Sequence, residues 1–508
     1  MKPAREQPGV QRDMVRLRET KGDMLCLYAP GSPTRRSYRA MLEVSPINLS
    51  LKAEDEQEAI IERFGALIKS LSFPLQILVR NQRLDLTPYI RHLLARPRAD
   101  GQHPSTWYAL AHSLAELLQR IAARRTLIER HVYVIIPASQ GAASSKRRNG
   151  IWPLFGKRRA QHIAETEEQA WQELALRAEA LTTQQLASCG LTCHRLHNTE
   201  LARLMYSCLT PERALAHSLS NKLLSAVGRP TRVKRREARA PRSQMMQVVG
   251  SEQHRETSSQ VDENAQRSLP LPDLLHLVDL LAPECIEVTP DALRIGLEYA
   301  CGVDVTACPR EVSFDGWLAP LLLHDEVMDI SFHYHPQDTA AMKRQLARNR
   351  AGHASGRRFN RREGRADDPD ALVAEEDINR LLDDLAHLKE RVFDLGFYLL
   401  LRASNREALN ARLERLYSVL GLLSLDAAAH PATFEQVEAL QSCLPQVRDE
   451  LLRTFTLDST TLASMFPFLS NSLMMPGGVL VGVSETHEPV LLNPWDSELP
   501  NPHLFIGG

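Results

Sequence analysis

Between residues 24 and 137 the chain switches repeatedly between the two hydrophobic periods that regular structure allows. That alternation constrains the fold more than any other feature. Met24-Leu-Cys-Leu-Tyr28 and Tyr38–Val44 read as strands across a Pro30-Gly31-Ser32-Pro33 turn. Ala59, Ile60, Phe64, Leu67, Ile68 and Leu71 then recur at steps of three and four, the spacing of one helix face. Glu54-Asp55-Glu56 at its start complement the positive end of the helix dipole. Leu75–Val79 reads as a strand, and Thr87-Pro88 opens another helix with a cap residue and a proline at the first position. A helix over about 105–130 carries Trp107, Leu110, Leu114, Leu117, Leu118 and Ile121 on one face, and the strand His131–Pro137 closes the unit. Strands interrupted by amphipathic helices predict mixed sheets with packed helices, an α+β or α/β class.

The 508 residues suffice for two to four domains. The expected division is a disordered N-terminus over 1–22, an α+β domain over 23–227, a disordered basic linker over 228–268, a second α+β domain over 269–475, and a β-hairpin and strand over 476–508. The second domain has strand candidates at Ile286–Val288, Leu293–Leu297, Val327–Tyr334 and Phe393–Leu401, a helix over 405–420, and a buried helical turn at Trp317–Leu323. From Lys343 to Arg365 nine basic residues face one acid, and six acids follow between Asp367 and Asp377. Such juxtaposed blocks predict a self-compensating helical excursion over 343–377. No repeat of fixed period emerges.

Composition narrows the function classes. Hydrophobic content of 43% and charged content of 24% exclude global disorder, and a net charge of −1 argues against a surface devoted to nucleic acid. Met1–Gln7 has charges with no apolar segment behind them, so it does not read as a secretory signal, and no run reaches the roughly 18 to 20 apolar residues that span a bilayer. The expectation is a cytoplasmic protein, soluble or peripheral at the inner face of the cell membrane. Eight cysteines spread over such a chain do not form a disulfide framework. Cys189, Cys193, His194, His197 and Cys208 have soft ligands at short spacing, but match no familiar zinc pairing and sit among core leucines. His333 and His335 alternate on a strand and share a face without an evident third ligand. The sequence therefore predicts no metal site and no catalytic residue.

A phosphate loop needs glycine, four residues, then Gly-Lys-Ser/Thr. Gly150-Ile-Trp-Pro-Leu-Phe-Gly156-Lys157-Arg158 has a five-residue spacer and an arginine where the hydroxyl belongs, so it is rejected. Seven basic residues, Arg229, Arg232, Lys234, Arg235, Arg236, Arg239 and Arg242, lie in the predicted linker. They read as a solvated loop or as an electrostatic contact with DNA or anionic membrane.

Three stretches carry a resemblance. They are Ala40–Leu49 with Glu54–Gln57, Ser72–Arg80 and Leu84–Tyr89; Gly316–Leu318 with Val327–Ser331 and Tyr334–Pro336; and Phe466–Phe468 through Gly508. Together they resemble the N-terminal half of the TraC-like, VirB-type ATPases of conjugative transfer and type IV secretion. In that family the phosphate loop begins near the position of Gly507 or Gly508. The resemblance thus implies a chain stopping before the motor, with those glycines as the only trace of a nucleotide site. It implies docking and assembly rather than hydrolysis, with no cofactor for this chain although the intact family uses ATP and magnesium. Its implied partners are channel proteins and neighbouring subunits of a hexamer. The alternative is a stand-alone interaction protein, or a nucleic-acid-binding accessory protein of a mobile element.

Overall fold

The computed structural model describes residues 16–29, 32–95, 104–124, 127–138, 167–211, 214, 281, 283, 285–309, 316–362, 369–387, 389–471, 473–474, 478–484, 489–493 and 495. The elements run β1 (Leu17–Thr20), β2 (Leu25–Ala29), β3 (Ser32–Val44), α1 (Glu54–Ser70), β4 (Leu75–Arg83), α2 (Thr87–Ala95), α3 (Pro104–Arg124), β5 (Ile128–Pro137), α4 (Glu167–Ala180), β6 (Cys193–Arg195) and α5 (Asn198–Leu209). After the undescribed stretch come β7 (Ile286–Thr289), β8 (Ala292–Ile295), β9 (Glu298–Val305), α6 (Ala319–Leu322), β10 (Met328–Pro336), α7 (Thr339–Arg362), α8 (Pro369–Ala386), β11 (Val392–Ala403), α9 (Arg406–Leu422), β12 (Ala429–Pro431) and α10 (Gln436–Cys443). The chain continues through β13 (Thr454–Asp458), α11 (Ser459–Ser464) and the small sheet of β14 (Leu473–Met474), β15 (Val479–Val483) and β16 (Pro489–Leu492). The class is α+β: helices pack on a large antiparallel sheet.

Thirteen strands form that sheet, in the order β1-β2-β3-β5-β4-β10-β11-β9-β8-β7, with β6 on β3, β12 on β9 and β13 on β11. The order is symmetrical about the β4–β10 pair. Each side lays three strands, a helix, a strand, a pair of helices, a strand, a helix, a short strand and a helix in the same chain order. Each also places those strands identically: β2-β3-β5-β4 on one side, β8-β9-β11-β10 on the other. The chain thus repeats one topology about a pseudo-two-fold axis normal to the sheet.

The register carries the symmetry into one row of side chains. Directly paired residues share a sheet face. One row across eight strands reads His194, Glu43, Tyr133, Leu78, Ser331, Tyr398, Asp304, His430. It is a palindrome of histidine, acid and tyrosine about the Leu78–Ser331 pair. The helices facing this row end alike, in Ser207-Cys208-Leu209 and Ser442-Cys443-Leu444. Insertions differ between the halves, so the offset changes along the chain. That is why no fixed period is visible in the sequence.

One face of the sheet carries the main core. Val44, Ile77, Val79, Val134, Ile330, Phe332, Phe397 and Leu399 meet α1, α4, α9 and α11 there. Phe64 of α1 packs edge-on against Phe466 and Phe468, with ring centroids 5.3 and 5.8 Å apart. The opposite face is covered by α5 over the first half and α10 over the second. Both halves thus share one sheet and one core, although their sequences read as separate domains.

Several elements differ in extent from the sequence reading. Helix α3 stops at Arg124, because β5 begins at Ile128. Its packed line runs one residue round from the predicted stripe: Ala111, Ala115 and Leu118 are buried, while Leu110 and Leu117 are exposed. Strand β9 was not anticipated, since Cys301-Gly302 interrupts its alternation. The charged excursion is the helical hairpin α7–α8, seated on Val392 through Met342, Leu346, Leu381 and Leu385.

Gly302 sets how closely α10 approaches the sheet. A Cβ built there would lie 2.2 Å from the Ala439 Cβ. The Gly302 N–H also donates to Gln436 Oε1 at 2.8 Å. Gly302→Val should therefore lower stability by about 2 kcal/mol or more, read as a fall in the urea midpoint at unchanged m-value.

Candidate functional site

Where β4 meets β10, on the α5–α10 face, the sheet buries charge. Arg80 is 1% exposed, Asp329 4% and Arg402 3%. Arg80 Nε donates to Asp329 Oδ1 at 2.8 Å, and Arg402 Nη2 lies 3.5 Å from Asp329 Oδ2. The cause lies in the helix above. The last carbonyls of a helix have no partner within it and need donors from elsewhere. Arg80 Nη2 supplies Ser207 O at 3.3 Å, and Arg402 Nη2 supplies Cys208 O at 2.6 Å. Positive charge at a helix C-terminus is also favoured by the dipole.

Across the axis the same problem is solved without arginine. Ser442 O accepts from His333 Nε2 at 2.7 Å and from Ser331 Oγ at 3.0 Å. Gln76 Nε2 donates to Leu444 O at 3.0 Å, while its Oε1 accepts from the N–H groups of Gln446 and Val447. The register makes Arg80 the counterpart of His333, and Asp329 the counterpart of Gln76.

Beside the arginines, between α5 and the ends of β4 and β11, lies a cavity of about 370 Å³. Its walls include Glu43, Arg80, Arg83, His131, Tyr133, Arg203, Tyr206, Glu298, Arg402 and Arg412. The volume is that of a small-molecule site, which typically spans about 300 to 1,000 Å³. His131 sits between two carboxylates, with Nδ1 2.8 Å from Glu43 Oε1 and Nε2 3.5 Å from Glu129 Oε1. Burial alone would lower its pKa, but those two carboxylates outweigh it and carry it up to about 9. The side chain is therefore an imidazolium at neutral pH. His333 is the opposite case: burial drives it down to about 4, and it donates as a neutral ring.

The cysteines and histidines weighed as ligands disperse. Cys189 packs in the main core and Cys208 on the buried face of α5, while His194 pairs with Glu200 and His197 with Asp23. Burial pushes Cys193 and Cys208 each up to about 11, so both stay thiols. His333 and His335 stack at 6.2 Å. Among the described residues no group of three His, Cys, Asp or Glu could hold a metal. Gly507 and Gly508, the basic positions Arg229 to Arg242, and the rejected loop Gly150–Arg158 lie outside the described residues. Among the described residues no helix is long and apolar enough to cross a membrane.

Sequence reasoning missed Arg80, Asp329, Arg402 and Tyr133 as a site. One signal was present: opposite charges set inside two apolar strand runs, Leu75–Arg80 and Val327–Ser331. Both runs belong to the stretches that carried the family resemblance.

With this geometry in place, the comparisons are informative. Residues 33–211 match the family described as the archaeal TraC-like domain. The N-terminal region of the chain is therefore similar to a TraC-like domain over those residues. The match runs from β3 to just past α5, which is the first unit without β1 and β2. The second unit repeats its topology outside the matched residues. No curated protein matches the chain.

Two outcomes follow from the buried charges. Arg80→Ala leaves Asp329 short of its closest partner and should cost about 3 to 5 kcal/mol, whereas Arg80→Met with Asp329→Leu should recover most of that loss. Chemical denaturation of the three variants checks this. The histidines shape the pH profile. His131 binds its proton more tightly folded than unfolded, where its value is the ordinary 6.5. The stability it adds is complete below about pH 6.5 and disappears as pH rises through 9. His333 binds its proton less tightly when folded, so stability falls as pH drops from about 6.5 towards 4. His131→Gln should flatten the alkaline limb by about 1 to 3 kcal/mol while leaving the acid limb intact.

Proposed function

We propose that this chain is a docking and assembly component of a conjugation or type IV secretion machine, contacting neighbouring copies and the channel at the inner face of the membrane, and that it does not itself hydrolyse ATP. The TraC-like match over the first unit carries this reading. The surface of α3 supports it: Tyr108, Leu110 and Leu117 are exposed, at 48%, 62% and 47%. Exposed apolar side chains grouped on one helix are typical of surfaces that meet another protein.

Sedimentation of the full chain tests docking between copies. The wild type should self-associate at micromolar concentration, and Leu110→Arg with Leu117→Arg should remain monomeric at an unchanged melting temperature. Equal sedimentation of the two proteins would refute α3 as the contact. Phosphate release from ATP should stay at background, and turnover abolished by Lys157→Ala would overturn the non-catalytic reading. Contact of Arg229–Arg242 with DNA would appear as binding that weakens steeply with salt and disappears when these residues are neutralised.

A further inference from the structure

The repeated topology allows the two halves to be compared position by position, and one comparison concerns a missing carboxylate. Tyr133 and Tyr398 hold equivalent places in the palindromic row, each paired with an acid on its outer side. The Tyr398 hydroxyl donates to Asp449 Oδ1 at 2.6 Å. That carboxylate is buried, its side chain 2% exposed, with His335 Nε2 3.6 Å from Oδ2. Asp449 stands five residues beyond the shared Ser-Cys-Leu of α10. The residue at the same distance beyond the Ser-Cys-Leu of α5 is Ala214.

Ala214 supplies no carboxylate, and it lines the 370 Å³ cavity together with Tyr133. In the second unit the chain fills the matching place with its own acid. In the first unit the place is open, and no described residue hydrogen-bonds the Tyr133 hydroxyl. Further along the same wall, Arg402 is 3% exposed, yet its Nε and Nη1 make no hydrogen bond; Nη1 lies 3.9 Å from Glu298. Buried donors without acceptors are uncommon, and each calls for a partner. Five arginines and the His131 imidazolium line the cavity against four acids, leaving it net positive.

We propose that this cavity binds a small organic anion, a carboxylate or phosphate. Its charged group accepts from the Tyr133 hydroxyl as Asp449 accepts from Tyr398, within a lining whose net charge is positive. The site lies on the first unit's side of the axis, and residues of β10 and β11 complete its wall. It stands apart from any nucleotide site of a motor, because it uses side-chain donors on a sheet rather than a glycine loop.

Succinate and inorganic phosphate are suitable probes, each titrated into the full chain at constant ionic strength with chloride as control. Calorimetry should show saturable binding of one of them, and the one that binds distinguishes carboxylate from phosphate chemistry. Tyr133→Phe should weaken that binding about tenfold. Ala214→Asp installs the carboxylate that the second unit already has. It should raise the melting temperature of the free protein and abolish the response to the probe. Absence of saturable binding for both probes overturns the proposal, as does binding that neither substitution alters. If Ala214→Asp does not fold, the Tyr133→Phe titration decides alone.

Discussion

The β4–β10 pairing is the contact on which everything else rests. These two strands align antiparallel from Leu75 opposite Tyr334 to Asn81 opposite Met328, and each is the last strand of its own half. Without that seam there would be two half-sheets, each with an open, strongly apolar edge. With it, Ile77, Val79, Ile330 and Phe332 become the middle of one core. The seam also fixes where charge must be buried. Two helix C-termini converge above it, and their unpaired carbonyls call for donors at the centre of the sheet. Arg80 and Arg402 answer on one side of the axis, Gln76, Ser331 and His333 on the other. Asp329 is then required to neutralise the arginines, so a demand of the backbone produces a charged cluster in the interior.

Much of the first half was legible because its periodicity is clean. Phe64, Leu67 and Ile68 mark the buried face of α1 as the spacing predicts, and Leu75–Val79 is a strand as its apolar run predicts. The charged blocks after Lys343 become helices packed side by side, since opposite charges on adjacent helices compensate each other. Other features were hidden for physical reasons. The extended chain does not show that Val79 and Ile330 share a sheet, because strand pairing is a long-range contact. The palindrome of His194, Glu43 and Tyr133 with Tyr398, Asp304 and His430 is spread over strands separated by connections of unequal length. Gly302 carries no side chain to mark its strand, yet it is the point where a helix comes close. The stripe of α3 misled because the helix turns so that Ala111 and Ala115, small enough for close packing, face inward while Leu110 and Leu117 remain outside.

The site was the least legible part. A single arginine at the end of an apolar run carries little information until its partner is known, and that partner lies in the other half of the chain. The same holds for Tyr133, whose significance appears only beside Tyr398. The TraC-like match covers the first unit, and the cavity lies mostly against that unit's strands and α5, with β10 and β11 supplying the far wall.

An internal two-fold of this kind is the covalent counterpart of an isologous dimer. In a true homodimer every substitution is made twice, so a residue that suits one protomer is imposed on the other. Joining the copies in one chain removes that obligation. Asp449 and Ala214 show the freedom in use: one copy closed its pocket with its own acid while the other kept it open. A symmetric ancestor could hold two identical sites or none, but the fused chain can carry a single one.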